Sequence, residues 1–127
     1  MSTPFYPDDG LIVVSAVVEG PLQDTQVSLA LDTGAVDTVI SESILRFVGY
    51  DPSLAAQQVQ ATAATSVVSV PQLPVRRLSA LGQDRFDFPV LAHTLPPSAG
   101  VDGLLGLDFV RGYELKINFR TGLIDLL

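Results

Sequence analysis

The sequence predicts an all-β domain that closes into a barrel and carries two short helices. Short apolar stretches recur along the 127 residues, and turn residues separate them. In several of these stretches apolar and polar side chains alternate, which is the period of a half-buried strand. Only two segments have helical spacing, and both are short. This combination is typical of a small barrel-like fold.

The composition is that of a folded globular protein, since 47% of the residues are hydrophobic and 17% are charged. The length suits a single domain over residues 1–127 with one core. No apolar run reaches the roughly 18 residues of a membrane helix, so we expect no membrane partner. The first ten residues lack both the basic and the apolar regions of a secretory signal.

Charge and residue counts exclude several kinds of site. The net charge is −7 and seven basic residues are spread along the chain, so we expect no nucleic-acid partner. The chain has no cysteine, which excludes disulfides and thiolate metal sites and is consistent with a cytoplasmic location. A single histidine argues against a catalytic zinc, and no metal or organic cofactor is expected.

The first half of the chain predicts a hairpin, a loop and a helix. The stretch 10–19 is short and rich in β-branched residues, and apolar and polar residues alternate over 25–31. We therefore expect two paired strands. After a loop, residues 38–40 predict a brief strand. Ser41 suits a helix N-cap and Gly49 suits a helix end, which predicts about two turns of helix between them.

The second half predicts three further hairpins. Residues 57–70 are poor in charge and rich in small and β-branched residues, which indicates two strands with a tip near 63–66. The stretch 71–74 is expected at an edge or in a connector, because proline lacks the N–H of a central strand. The remaining predicted elements are strands at 75–81 and 86–92 around a turn at 82–84, a loop at 96–100, a helix at 107–111, and a final hairpin of 113–119 and 123–127.

One acidic residue stands between two apolar runs, where a predicted strand enters a tight turn. Asp32 directly follows the run 29–31. A carboxylate at the end of a buried strand costs free energy unless it is hydrogen-bonded, and such a cost is otherwise accepted where the group has a function. Thr33 offers a hydroxyl and Gly34 accepts positive φ, so the backbone can fold around the carboxylate. The pattern indicates a catalytic loop, although a structural turn would use the same residues.

The order of motifs along the chain resembles that of the retropepsin-like aspartic proteases. The motifs are Leu31-Asp32-Thr33-Gly34-Ala35, the following Asp37-Thr38-Val39-Ile40, a flap-like hairpin at 57–70, and Leu104-Leu105-Gly106 with a short helix after it. Each motif alone is weak evidence, whereas the ordered set is specific and covers most of the chain. The resemblance implies a retropepsin-like closed β-barrel, the acid protease fold, with one or two short helices.

The resemblance also implies an aspartic endopeptidase that acts as a homodimer. Members of this family carry one Asp-Thr-Gly per chain, so Asp32 of two copies would meet across a two-fold axis and share a water molecule. Two carboxylates in contact share one proton. The ionised one would take a proton from the water, and the protonated one would polarise the scissile carbonyl of a peptide or protein substrate.

The resemblance assigns roles to further residues of this chain. Thr33 would hydrogen-bond across the dimer, and Gly34 would let the substrate approach the backbone. Leu105 would lie behind Asp32 and keep it rigid, and the hairpin at 57–70 would close over an extended peptide as a flap. The residues implied in substrate binding are Ala35, Val36, Asp37, Ala63, Ala64, Thr65 and Leu105.

Three positions depart from the retroviral pattern. Val36 stands where that pattern has an acidic residue, Leu107 stands where it has an arginine, and the expected flap tip has no glycine. We expect apolar packing of Val36 on Leu107 to replace the family's ion pair, an exchange that is neutral or stabilising in other proteins. Asp37 is interpreted either as a substrate-binding residue or as a solvated turn residue.

Alternatives stay open for the protein and for individual residues. The same motifs fit a dimer that binds extended peptides without cleaving them, and the strands alone fit a monomeric barrel. Asp102 and Asp108 are interpreted as turn and helix-start residues rather than as a second catalytic acid. His93 is expected in a loop, and Arg76 and Arg77 are expected to be solvated.

Overall fold

The computed structural model describes residues 1–62 and 67–127. Within these ranges the chain forms ten strands and two short α-helices. The strands are β1 (Ser2–Pro4), β2 (Val13–Glu19), β3 (Asp24–Leu31), β4 (Val39–Ile40), β5 (Gln57–Thr62), β6 (Val67–Ala80), β7 (Gln83–Ala92), β8 (Gly103–Leu105), β9 (Leu115–Asn118) and β10 (Leu123–Leu126). The helices are α1 (Glu42–Phe47) and α2 (Leu107–Val110), and single 3-10 turns lie at Pro52–Leu54 and Pro97–Ala99.

Six strands close into a barrel, which confirms the predicted all-β class. Around the barrel the order is β2-β3-β8-β4-β7-β6, and β6 closes the ring by pairing with β2. Most neighbours are antiparallel, but β3 with β8 and β4 with β7 run parallel. Among the described strands β5 pairs with β6 alone and lies outside the ring. The hairpin predicted at 57–70 is therefore an addition to the barrel and not part of its wall.

The core fills this barrel with side chains that alternate along its strands. On β2 the side chains of Val14, Ala16 and Val18 are buried, and those between them are more exposed. On β3 Val27 and Leu29 are buried in the same way. Successive side chains of a strand point to opposite faces, and each fully buried valine or leucine contributes about 1.5–3 kcal/mol. The pattern that predicts the strands is thus also the pattern that builds the core.

Both α-helices are short and rest against the core. Helix α1 follows Ser41, as predicted, although the Ser41 side chain makes no capping hydrogen bond within the described chain. Leu45 and Val48 have no exposed surface. Gly49 ends the helix with φ = +112°, a conformation that favours glycine. No helix in the described ranges has the length and apolarity that crossing a membrane requires.

Arg85 of β7 holds helix α2 at its C-terminal end. The guanidinium donates to the Phe109 carbonyl through Nε and Nη2, at 3.1 and 2.7 Å, and through Nη2 to the Arg111 carbonyl at 2.7 Å. Its central carbon lies 4.9 Å from the centroid of the Tyr113 ring. A cation is favoured where the last carbonyls of a helix are unpaired. These contacts fix α2 to the barrel wall.

A separate three-stranded sheet joins segments from both ends of the chain, in the order β1-β10-β9. The sequence predicts the hairpin of β9 and β10 but not β1. Ser2 pairs with Asp125, and Pro4 pairs with Leu123. The three residues of β1 are serine, threonine and proline, in which apolar and polar residues do not alternate. The formation of this strand therefore depends on pairing with β10 and not on its own sequence pattern.

The stretch 71–74, predicted at an edge or in a connector, belongs to β6, and its two prolines lie at edge positions of that strand. Pro71 pairs with Gln58 of β5, and Pro74 pairs with Pro89 of β7. The strand changes from one partner to the next between these two prolines, so each proline has a paired neighbour on one side only. That leaves a side on which the missing N–H removes no ladder hydrogen bond.

Arg77 is not solvated as predicted but bridges three carboxylates. Its guanidinium lies 3.5 Å from Glu19, 4.0 Å from Asp24 and 3.8 Å from Asp84. The side chain is only 26% exposed. These contacts link the hairpin of β2 and β3 to the hairpin of β6 and β7. Arg76, the preceding residue, is exposed.

Candidate active site

The end of β3 and the start of β4 lie on either side of β8, and this arrangement positions Asp32. β8 runs parallel to β3 and antiparallel to β4. Asp32 directly follows β3, and Thr38 directly precedes β4. Leu31 pairs with Leu105, the last residue of β8. The segment 32–38, which we call the Asp32 loop, therefore passes around the end of β8.

Two glycines allow the loop and β8 to lie this close together. A Cβ atom on Gly103 would stand 1.9 Å from the Val39 carbonyl oxygen. A Cβ atom on Gly106 would stand 2.7 Å from the Asp37 carbonyl carbon. Both distances are below van der Waals contact with backbone atoms, so only glycine fits at these positions.

Asp32 is held at its backbone and at one carboxylate oxygen. Its N–H donates to the Leu105 carbonyl at 3.0 Å, and its carbonyl accepts the Ala35 N–H at 3.1 Å. Oδ1 accepts the Gly34 N–H at 2.9 Å. Within the described residues Oδ2 accepts no hydrogen bond, and the residue is half-exposed. One oxygen thus orients the carboxylate, and the other is accessible to a reactant.

The rest of the Asp32 loop crosses the start of helix α2. The Ala35 carbonyl accepts the Leu107 N–H at 2.8 Å, and the Val36 carbonyl accepts the Asp108 N–H at 3.2 Å. N–H groups in the first turn of α2, which have no partner within the helix, are thereby satisfied. Ala35 is half-exposed, as is Asp37.

The expected packing of Val36 on Leu107 does not bury Val36. Its side chain is 64% exposed, whereas Leu107 packs against the core. The two segments are joined at this point by the backbone hydrogen bonds from Leu107 and Asp108. Where the retroviral pattern has an ion pair, two backbone hydrogen bonds connect the loop to the helix.

Leu105 supports Asp32 from behind. Its carbonyl accepts the Asp32 N–H, and its side chain has no exposed surface. A fully buried side chain offers no surface to a substrate. The structure thus places Leu105 in the supporting position, and not among surfaces that a peptide could contact.

The hairpin interpreted as a flap is formed by β5 and the first part of β6. Gln57 pairs with Gln72, and Thr62 pairs with Val67. The interpretation of its tip falls outside the described residues, since these exclude Ala63, Ala64 and Thr65.

A buried hydroxyl joins the Asp32 loop to α2 through the carboxylate of Asp108, which the sequence predicts only as a helix-start residue. Thr38 has no exposed surface. Its Oγ1 donates to Asp108 Oδ1 at 2.7 Å, and its N–H donates to Oδ2 at 3.1 Å. The same Oγ1 accepts the Gly106 N–H at 3.1 Å. In the sequence the only signal is an acid in the first turn of a short helix, which the helix dipole alone explains.

Burial raises the pKa of Asp108 above its ordinary value of 3.8. The hydrogen bonds from Thr38 and from the Phe109 N–H lower this pKa, and the negative charge of Asp37 raises it. Burial and the like charge outweigh the hydrogen bonds. Ionised Asp108 therefore carries a cost that its two bonds to Thr38 only partly offset.

The other residues weighed for chemistry lie apart from this cluster. Asp102 precedes β8 at the end opposite to Asp32, and its Oδ2 accepts the Ser28 N–H at 2.8 Å. His93 is exposed in the loop after β7. Across 1–62 and 67–127, no three side chains of histidine, cysteine, aspartate or glutamate converge as metal ligands.

Comparison with known proteins supports the resemblance seen in the motifs. A model of the aspartyl protease family matches residues 14–109. The crystal structure of a retropepsin-like aspartic protease from Rickettsia conorii matches with a TM-score of 0.74 at 16% sequence identity, over 99% of this chain and 88% of that chain. In all, 112 solved chains match, whereas no curated protein does. The retropepsin-like fold is confirmed, and the matched family region contains Asp32, Leu105 and Asp108.

Proposed function

Because the chain belongs to the aspartyl protease family, we propose that it hydrolyses peptide bonds as an aspartic endopeptidase. The observation that carries this proposal is the state of Asp32. The residue stands where the Asp32 loop leaves β3, with one oxygen held by the Gly34 N–H and the other free of partners in the described chain. The fold orients such a carboxylate and leaves one of its oxygens accessible, which is what a group that transfers protons requires.

The proposed enzyme is a homodimer, because one chain supplies one acid of this kind within its described residues. Both carboxylate oxygens of Asp108 accept hydrogen bonds from Thr38, and Asp102 lies at the other end of β8. A two-fold axis beside the Asp32 loop would bring Asp32 of a second copy against the first. Thr33, which is exposed beside Asp32, would hydrogen-bond across that axis.

The two Asp32 carboxylates would share one proton, since adjacent carboxylates do not both ionise. The ionised carboxylate takes a proton from a water molecule, whose oxygen bonds to the scissile carbonyl carbon. The protonated carboxyl donates its hydrogen to the carbonyl oxygen. As the C–N bond breaks, the carboxyl that took the proton from water donates it to the leaving nitrogen. The other carboxylate takes back a proton from a hydroxyl of the tetrahedral intermediate, which becomes the product carboxyl group, and the shared-proton pair is restored.

The proposed substrate is an extended peptide that lies between the Asp32 loop and the hairpin of β5 and β6. Among the described strands β5 has one unpaired edge, and an extended peptide binds by adding a strand to such an edge. Gly34 lets the peptide approach the backbone of the loop. The proposed contacts are Ala35, Val36 and Asp37 on the loop and Ala63, Ala64 and Thr65 on the flap.

A second candidate function is a dimer of the same fold that binds extended peptides without cleaving them. The exposed Val36 favours this candidate. It stands where the retroviral pattern has an acidic residue, and a valine side chain offers no acceptor to a substrate N–H. The two candidates differ in turnover and not in binding.

The test is cleavage of fluorescein-labelled casein by the purified protein at mildly acidic pH, with the products identified by mass spectrometry. We expect the wild type to release peptides and Asp32→Asn to release none. Asparagine has the same shape, and its Oδ1 still accepts the Gly34 N–H, so both proteins should unfold at the same temperature.

Asp102→Asn is the matched control, because Asp102 also accepts one backbone N–H but lies at the opposite end of β8. It should cleave casein at the wild-type rate. Cleavage by Asp32→Asn would remove Asp32 from the mechanism. Binding of casein peptides by the wild type with no cleavage at any pH would support the second candidate instead.

A further inference from the structure

We propose that Asp108 is a positioning residue for Asp32 and acts through the buried hydroxyl of Thr38. This inference rests on the proposed function, in which Asp32 is the reacting acid. Neither Asp108 nor Thr38 belongs to the Asp-Thr-Gly motif. What joins them to Asp32 is a continuous series of hydrogen bonds through the end of β8.

The peptide group between Leu105 and Gly106 is the central link of this series. Its C=O accepts the Asp32 N–H at 3.0 Å, and its N–H donates to Thr38 Oγ1 at 3.1 Å. A peptide group is planar and rigid. Holding its N–H side in place therefore also holds the carbonyl to which Asp32 is bound.

Asp108 determines the direction in which the Thr38 hydroxyl donates. A carboxylate only accepts, so the hydroxyl hydrogen goes to Asp108 Oδ1, at 2.7 Å, and a lone pair of Oγ1 is left for the Gly106 N–H. The second carboxylate oxygen takes the Thr38 N–H at 3.1 Å. Because Thr38 has no exposed surface, water does not replace a lost partner.

An asparagine at position 108 does not reproduce this pair of acceptors. Its amide has one oxygen and one NH2 group. The NH2 group would face either the Thr38 N–H or the Thr38 hydroxyl, which would lose the acceptor for its hydrogen. A buried donor is then left unpaired, and the Thr38 hydroxyl is no longer fixed toward Gly106.

Asp102 provides the contrast within the same fold. It sits at the other end of β8 and accepts a single side-chain bond, from the Ser28 N–H. The one oxygen of an asparagine satisfies that donor. The same substitution therefore removes an essential acceptor at Asp108 and none at Asp102.

The first measurement is amide hydrogen exchange by NMR, which requires no catalysis. In Asp108→Asn and in Thr38→Val we expect the N–H groups of Asp32 and Gly106 to exchange at least about 10-fold faster than in the wild type. The Ser28 N–H should be unaffected. Thr38→Ser keeps the hydroxyl and should restore exchange to near the wild-type rate, and Asp102→Asn should not alter exchange at Asp32.

The second measurement is steady-state cleavage of the best-cleaved casein peptide, made synthetically, under conditions where every variant is folded. We expect kcat to fall about 10- to 100-fold in Asp108→Asn and in Thr38→Val, with KM within about two-fold, because a small displacement of a reacting group costs that much in rate. The double variant should be no slower than the slower single variant, since the two residues act as one unit. A merely structural residue would lower the folded fraction and leave kcat per folded molecule unchanged.

Unchanged exchange at Asp32 in Asp108→Asn, an equal loss of kcat in Asp102→Asn, or kcat losses that multiply in the double variant would each overturn the proposal. A wild type that cleaves nothing would refute the proposed function alone, because the exchange measurement still decides whether Asp108 holds Asp32 in place. If Asp108→Asn does not fold, the comparison of Thr38→Val with Thr38→Ser decides the question by the same two measurements.

Discussion

Two carboxylates in one region of the molecule have opposite surroundings. Asp32 is half-exposed and uses one oxygen on the N–H of Gly34 in its own loop. Asp108 uses both oxygens on the buried Thr38. The first carboxylate is therefore accessible to a reactant, and the second is committed to holding the loop. Environment, and not residue type, separates the proposed reacting acid from the proposed supporting one.

The raised pKa of Asp108 predicts a pH-dependent contribution to stability. Burial, opposed by the Thr38 hydrogen bonds and aided by the charge of Asp37, puts the folded pKa above the unfolded value of 3.8. Just above pH 3.8 the folded protein binds the proton more tightly than the unfolded chain, so the contribution of Asp108 to stability falls as pH rises through the folded pKa. We expect the free energy of unfolding of the wild type, relative to Asp108→Asn, to increase on acidification through this window.

Asp51 is a control of opposite sign. The Ser53 hydroxyl and N–H lower the pKa of the exposed Asp51 carboxyl, and Arg46 lowers it further. Its contribution to stability is therefore present above pH 3.8 and lost as pH falls through the folded pKa. Relative to Asp51→Asn the wild type should lose stability on acidification. Urea unfolding followed by circular dichroism measures both slopes, and the same sign for both variants would contradict the assignment.

The sequence predicts the Asp32 loop because the determinants of its turn are local. Asp32, Thr33 and Gly34 lie in succession, and the carboxylate accepts the N–H two residues ahead. Asp108 is different, because its partner Thr38 is 70 residues away. No local pattern encodes a contact of that separation. A single sequence thus identifies the motif, and only the folded chain shows which residues hold the motif in place.

Among the elements, β8 is the strand with which both β3 and β4 pair beside the site. It is three residues long and separates the two arms of the Asp32 loop, with β3 on one side and β4 on the other. The Val39 carbonyl of β4 approaches Gly103 so closely that no Cβ atom fits. The position of the loop therefore depends on the absence of a side chain at Gly103.

We expect Gly103→Ala to destabilise the protein by about 3 kcal/mol. The added methyl group would stand 1.9 Å from a backbone oxygen, and backbone atoms do not move aside at low cost. Gly10→Ala is the matched control, since nothing lies within 4 Å of its added Cβ atom, and its effect should stay below about 0.5 kcal/mol. Urea unfolding followed by circular dichroism suits a chain that has no tryptophan. Equal stabilities of the two variants would contradict the close packing of β4 on β8.

The sequence predicts the elements that carry their own pattern and misses those that depend on a partner. The hairpins of β2 with β3 and of β9 with β10 contain β-branched or alternating stretches and form as predicted. β1 is a strand because it pairs with β10, and its three residues give no signal. β6 continues through Pro71 and Pro74 because it changes partner there. Which neighbour a strand meets is a property of the closed barrel and not of the strand's own residues.

At the scale of the whole molecule, the barrel completes its core within one chain but leaves the proposed reacting acid accessible to solvent. Six strands close the ring, while Asp32 and Thr33 stay half-exposed or exposed. The closed barrel thus provides the stability of the fold, and the Asp32 loop provides the groups for the proposed chemistry. The fold needs no second copy to bury its core, whereas the proposed chemistry needs a second carboxylate that the described chain does not place beside the first.

Mixing the wild type with Asp32→Asn tests whether two copies share one site. After free exchange of subunits, an equal mixture contains about one quarter wild-type dimers, so casein cleavage should fall to about one quarter of that of the same total amount of wild type. If each chain cleaved casein on its own, the mixture would retain about half of the wild-type activity. Each chain has a net charge of −7, so moderate ionic strength is needed to screen the repulsion between copies.

The same mixing series with Asp102→Asn is the control, and its activity should stay at the wild-type level in every ratio. Mass spectrometry of isotope-labelled subunits verifies that exchange has occurred. A mixed dimer has one Asp32 and one asparagine, so it keeps a group that takes the proton from water but lacks the partner that donates to the carbonyl oxygen. Retention of half the activity after verified exchange would show that one Asp32 is sufficient, and the shared pair of acids would then be wrong.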